Sequence, residues 1–184
     1  MSHKIEELVD RSKEGLLSPK EIGWIEFALK SPGMEADRYA LLYALGKSGA
    51  KEHRQTVESF LGDPDRQLGK LALQILCQFW GETSQYLECV CKALSDRSDE
   101  ELLMLAASIA GEYLRDEQDP SMLRYLIEIT ESKDLDPSVI TCAYQCLARS
   151  VGRDMRQVVQ MALRQDWDPT VLEEAKRRLL AETA

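Results

Sequence analysis

The chain has 184 residues, enough for one domain with a sizeable core or for a short repeat array. Its 44% hydrophobic and 30% charged residues suit a folded globular protein, and no apolar run approaches the ~20 residues that cross a bilayer. With 23 basic against 32 acidic side chains the formal charge is −9, which argues against nucleic acid or an anionic membrane as partner.

Helical spacing begins at the N-terminus. Residues 3–16 place Ile5, Leu8, Val9 and Leu16 at helical intervals and predict a capping helix. The charged start, MSHKIEELVD, lacks the apolar stretch of a secretory leader, so a cytoplasmic location is expected. Ser18-Pro19 is a helix-start signal ahead of residues 20–30, which carry Ile22, Ile25, Phe27 and Leu29. Ser31-Pro32 reads the same way before a helix centred on Ala40. Residues 51–61 (Val57, Phe60, Leu61) lead through Asp63-Pro64 to a helix around Ala72, and residues 83–94 (Tyr86, Leu87, Val90, Leu94) lead to one around Ala106. Asp119-Pro120 opens residues 120–131 (Leu123, Leu126, Ile127, Ile129), and Asp136-Pro137 opens a helix around Ala143. The last two predicted helices are 153–164 (Met155, Val158, Val159, Ala162, Leu163) and one around Ala175 behind Asp168-Pro169.

Every second helix aligns on one alanine. Ala40, Ala72, Ala106, Ala143 and Ala175 stand 32, 34, 37 and 32 residues apart. Seven residues earlier come Gly33, Asp65, Asp99, Asp136 and Asp168; four earlier come Ala36, Leu68, Leu102, Val139 and Val171. Tyr39, Leu71, Leu105, Cys142 and Glu174 precede the anchors directly. Tyr43, Ile75, Ile109, Cys146 and Arg178 follow three later, and Ala44, Leu76, Ala110, Leu147 and Leu179 four later. Steps of three and four residues put these columns on one helix face. The polar Glu174 and Arg178 suit a terminal repeat whose outer face meets water.

Segments 63–81 (DPDRQLGKLALQILCQFWG) and 136–152 (DPSVITCAYQCLARSVG) resemble the second helix of HEAT repeats, with an early Asp and a small residue further along. An Arg after the Asp is matched only at Arg38 and Arg66. The resemblance covers about residues 20–182. It implies an all-α fold: a right-handed α-solenoid of about five antiparallel helix pairs in one domain, 1–184. The cap would be 1–18 and the pairs about 19–49, 50–81, 82–117, 118–152 and 153–184. Ankyrin and tetratricopeptide repeats have similar lengths, but their signatures are absent.

No catalytic motif emerges: there is no Gly-x-Ser-x-Gly, phosphate loop or His-Glu-x-x-His. The five cysteines are Cys77, Cys89, Cys91, Cys142 and Cys146, an odd number that suits reduced thiols. Cys142 and Cys146 fall in buried columns, so core packing is expected rather than a metal site, and no cofactor is expected. HEAT-like folds include alkylation-repair DNA glycosylases, but Trp24, Trp80 and Trp167 are far apart and fall near helix ends, and Trp80 and Trp167 read as packing residues.

Charge is the most informative functional feature. Residues 82–136 hold 5 basic and 14 acidic side chains, whereas 1–81 hold 11 and 12, and 137–184 hold 7 and 6. Asp96, Asp99, Glu100 and Glu101 cluster before the third anchor helix; Glu112, Asp116, Glu117 and Asp119 cluster after it. These acids read either as a solvated edge or as a patch for a basic partner protein. Flanking the buried stripe runs a polar lane: Arg38, Lys70, Met104, Thr141 and Glu173, then Leu42, Gln74, Ser108, Gln145 and Arg177, with Gln78, Glu112 and Arg149 a turn on. In HEAT-like stacks the second helices line the concave side, so the resemblance implies that this lane faces a partner. The expected function is a non-catalytic protein-binding module. The alternatives are a bacterial immunity-type protein neutralising a basic toxin, a HEAT-like nucleic-acid enzyme or binder, and a helper for a cofactor-bearing protein.

Overall fold

The computed structural model describes residues 2–33, 37–154, 156, 158–160 and 167–183. Among them every regular element is helical and there is no strand. Ala36, Met155, Ala162 and Leu163 lie outside the described residues. No described helix is long and apolar enough to cross a membrane.

The helices are α1 (Ser2–Lys13), α2 (Pro19–Lys30), α3 (Arg38–Lys47), α4 (Arg54–Glu58), α5 (Arg66–Gln74), α6 (Leu87–Ser95), α7 (Glu100–Asp116), α8 (Pro120–Thr130), α9 (Pro137–Ser150) and α10 (Pro169–Thr183). Most of their starts follow the predicted caps. Ser18 and Glu21 form a reciprocal capping box on α2, because each side chain accepts the other's backbone N–H. Asp99, Asp119 and Asp136 accept an N–H of the first turn of α7, α8 and α9 at 2.8–3.0 Å.

Two Pro signals mislead. Ser31 closes α2 instead of opening a helix; its hydroxyl donates to the Phe27 carbonyl at 2.8 Å. At Asp63-Pro64, Asp63 accepts the Asp65 N–H in a local turn, and Asp65 is the cap of α5. The predicted helix at 51–61 shrinks to a 3-10 turn, Lys51–His53, followed by the five residues of α4. Phe27 is 71% exposed: it lies ~200° around the helix from Ile25, on the face opposite the core. Leu16, at 57%, falls beyond the end of α1 and is exposed as well.

The chain divides into two compact units, residues 1–86 and 87–184. In the first, α2 pairs with α3, α1 covers α3, and α3 packs on α5 and its continuation, a π-turn over Ile75–Phe79. In the second, α6 pairs with α7 and α8 with α9, while α7 stacks on α9 and α6 on α8; α10 packs on α8 and α9. Ala72, Ala106, Ala143 and Ala175 are all fully buried. Ala40 is half-buried, lining a shallow groove with Ile5, Val9, Glu6, Asp10 and Asp37 between α1 and α3. The buried face is wider than the predicted stripe, because Leu41, Leu73, Ala107 and Tyr144, one place after the anchors, are buried too.

The helix ends repeat as well. Gly49, Gly81 and Gly152 each stand nine residues after an anchor and hold φ between 70° and 78°. A β-carbon is disfavoured there, so glycine sets the stop. Gly81 closes the π-turn, where the Trp80 N–H reaches back to Ile75 O and the Glu82 N–H to Leu76 O.

Within the first unit, Glu26 of α2 ties down the following turn. Its carboxylate accepts Lys30 Nζ at 2.7 Å and Thr56 Oγ1 at 2.7 Å, with His53 Nδ1 at 2.8 Å. The bonds from Lys30 and Thr56 hold its pKa at about 2, below the ordinary 4.5. A carboxyl depressed in the folded state contributes stability above its unfolded pKa and loses it on protonation. The stability difference between wild type and Glu26→Gln therefore shrinks as pH falls from 4.5 towards 2. Urea unfolding of both proteins across that range measures it; a difference independent of pH contradicts the assignment.

Candidate functional site

In the second unit α7 and α9 pack closely, because Gly111 lacks a side chain. A β-carbon there would stand 2.6 Å from Cys146 Cβ and 2.9 Å from its Cα. Cys142 Sγ meets the Met104 carbonyl at 3.8 Å across the same contact. Half-buried Met104 and Ser108 therefore run beside half-buried Thr141, Gln145 and Arg149, with Glu112 exposed at the end. Arg149 and Glu112 join the two helices by an ion pair at 3.6 Å. The Gln145 side chain makes no hydrogen bond among the described residues, so its amide is available to a ligand.

The acids divide into two groups. Asp96, Glu100 and Glu101 stand at the N-terminal end of α7; Glu112, Asp116, Glu117 and Asp119 stand at or beyond its C-terminal end. Seventeen helical residues rise ~25 Å, so the expected patch is two patches. Several of these acids already serve the fold. Asp99 and Asp119 are caps, Asp96 accepts the Ser98 N–H and hydroxyl at 2.9 and 2.6 Å, and Asp116 pairs with Arg115 at 2.6 Å. The bond from Arg115 lowers the Asp116 pKa. Carboxylates at a helix C-terminus oppose the dipole, and Arg115 and Arg149 offset that at Asp116 and Glu112. Losing the Asp119 cap, as in Asp119→Ala, is expected to cost ~1 kcal/mol in urea unfolding. Glu117→Ala, at an exposed residue, is expected to leave stability unchanged.

Gln74 and Gln78 belong to the first unit, where Gln74 Nε2 donates to Gln78 Oε1 at 3.3 Å. The lane there departs from expectation at Leu42, which is fully buried. In the same unit, Tyr43 and Phe79 meet edge to face, centroids 6.0 Å apart. This aromatic pair, bridging α3 and the π-turn, was hidden in sequence because Phe79 lies in no anchor column.

The tryptophans have structural surroundings. Trp80 is buried and its indole N–H donates to Gly46 O at 2.9 Å. Trp167 stacks on Tyr144 at 4.9 Å, and Trp24 lies under the Lys4 ammonium at 5.2 Å. Cys146 is buried against Gly111, and the hydrogen bond it shares with Cys142, with burial, holds its thiol above the ordinary range. Among the described residues no three His, Cys, Asp or Glu side chains are grouped to hold a metal. No protein-family model, curated protein or solved structure matches the chain.

Proposed function

We propose that the chain is a non-catalytic, HEAT-like solenoid of helix pairs that binds another protein through the exposed flanks of its second helices. The observation that carries this reading is the α7–α9 surface. Two helices in near backbone contact at Gly111 and Cys146 present Ser108, Gln145, Arg149 and Glu112 from one rigid support. Polar side chains fixed by such packing lose little freedom on docking, and a surface so held recognises shape and hydrogen-bonding pattern together. Glu112, Asp116 and Glu117 at one end and Glu100 and Glu101 at the other supply negative rims that would steer a basic partner.

Capture of partners from the native cell extract tests this with tagged wild type, Gln145→Ala/Arg149→Glu, and Glu112→Lys/Asp116→Lys/Glu117→Lys. The lane variant is expected to lose its captured protein by faster dissociation, and the rim variant by slower association. An unchanged capture profile in both variants removes this surface from the account.

A further inference from the structure

In the first unit, Lys47 at the end of α3 is exposed beside an aromatic pair, Tyr43 and Phe79. Tyr39, Tyr43 and Lys47 follow one another at four-residue steps along α3, with Tyr39 half exposed. Lys47 Nζ stands 3.6 Å from the centroid of Phe79 and 5.7 Å from that of Tyr43. It makes no ion pair among the described residues. Gln78, which directly precedes Phe79 in the chain, accepts a hydrogen bond from Gln74 at 3.3 Å.

We propose that this face binds a carboxylate-rich segment of a partner protein, with Lys47 as its anchor. The inference rests on the reading of the chain as a protein-binding module and assigns a second, oppositely charged contact to it. An ammonium has three donors and one small charge. The ring of Phe79 stabilises it from below, which leaves its outer side for carboxylate oxygens. Held over the ring, the side chain is already ordered, so docking costs less freedom than at a solvated lysine. Tyr39, Tyr43 and the glutamine amides offer hydrogen bonds to a peptide backbone alongside. Glu6, Asp10 and Asp37 line the α1–α3 groove, and Asp10 is engaged by Lys13 at 2.9 Å.

Nucleic acid is the other polyanion such a face could meet. It fits less well, because Lys47 covers the Phe79 ring and Tyr43 meets that ring edge-on, which leaves no open stacking platform there. The overall negative charge also repels a long phosphate backbone more than a short acidic peptide.

The test uses the full chain and three fluorescein-labelled probes read by anisotropy: a Glu-rich peptide, a Lys-rich peptide and a dT oligonucleotide. The Glu-rich peptide is expected to bind at about 50 mM salt and to weaken towards about 200 mM. Lys47→Glu, at an exposed position, is expected to weaken it at least about tenfold, and Lys47→Arg by no more than about threefold. Arg124→Glu, at an exposed residue of α8 in the second unit, leaves it unchanged. No binding of the Glu-rich peptide, or binding indifferent to Lys47→Glu, overturns the proposal. Tighter binding of the oligonucleotide that is lost in Lys47→Glu also overturns it and reassigns the face. The Lys-rich peptide and cell-extract capture, read with the Glu112 and Arg149 variants, report on the other surface, so the two readings fail separately.

Discussion

Gly111→Ala is expected to be the most damaging small substitution in this protein. In an ordinary helix interior, adding a methyl to glycine stabilises, by ~0.5–1 kcal/mol, because it restricts the unfolded chain. At Gly111 the added carbon would sit 2.6 Å from Cys146 Cβ and 2.9 Å from Cys146 Cα, and the second of these atoms is backbone. No rotamer change relieves that contact; α7 and α9 must separate, which loosens the buried Ala107, Ala110, Ala143 and Leu147 around it. Overpacking of this kind costs ~3 kcal/mol. For a chain of this size that corresponds to a fall in Tm of about 6–12 °C. Gly23→Ala is the control of opposite sign. Gly23 is exposed within α2 and its added carbon meets nothing within 4 Å, so Tm is expected to rise. Gly46→Ala should also lower Tm, because its added carbon would stand 2.4–3.0 Å from atoms of the fully buried, β-branched Ile75 side chain. Thermal unfolding of the three variants gives the signs directly, and an unchanged or raised Tm in Gly111→Ala contradicts the close approach.

Trp80→Ala is expected to remove about as much stability by the opposite route, a void. The indole is 3% exposed, and its N–H satisfies Gly46 O on the neighbouring anchor helix. Truncating a buried tryptophan costs ~3–5 kcal/mol. Trp80→Phe keeps most of the apolar volume but leaves the carbonyl without its donor, for ~1–3 kcal/mol. Chemical unfolding of the pair separates packing from hydrogen bonding. Equal losses in both variants would mean that the indole N–H, and not ring volume, accounts for the effect. A loss below ~1 kcal/mol in Trp80→Ala would contradict its burial.

Many helix starts and buried faces were legible because two local rules act in register. Asp before an apolar period marks a helix start, and a small residue amid steps of three and four marks a buried face. Together they located the starts of α8, α9 and α10 and the burial of Ala72, Ala106, Ala143 and Ala175. Where local chemistry has two uses, sequence chose badly. A Ser-Pro step can end a helix through its hydroxyl as readily as begin one, and did so at Ser31. An aspartate can be a surface charge or a cap, and composition cannot separate Asp99 and Asp119 from Glu117. Glycine was the largest omission. Gly46 and Gly111 lie at different steps from their anchors, so no column reveals them, yet each faces the residue three after the next anchor, Ile75 or Cys146. Close approach of two helices is a pairwise property, and a single periodic pattern does not contain it. The same holds for the candidate surfaces. The polar lane was visible as a pattern, but the pairing of Glu112 with Arg149 and the placement of Lys47 over Phe79 depend on neighbours 32 to 37 residues away.

Amide hydrogen exchange with and without the captured partner bears most directly on the claim that second helices present the binding surface. Protection should be gained over residues 104–112 and 141–149, while α6 and α8, on the other layer of the same unit, exchange as before. Protection confined to α6 and α8, with α7 and α9 unaltered, would contradict the account.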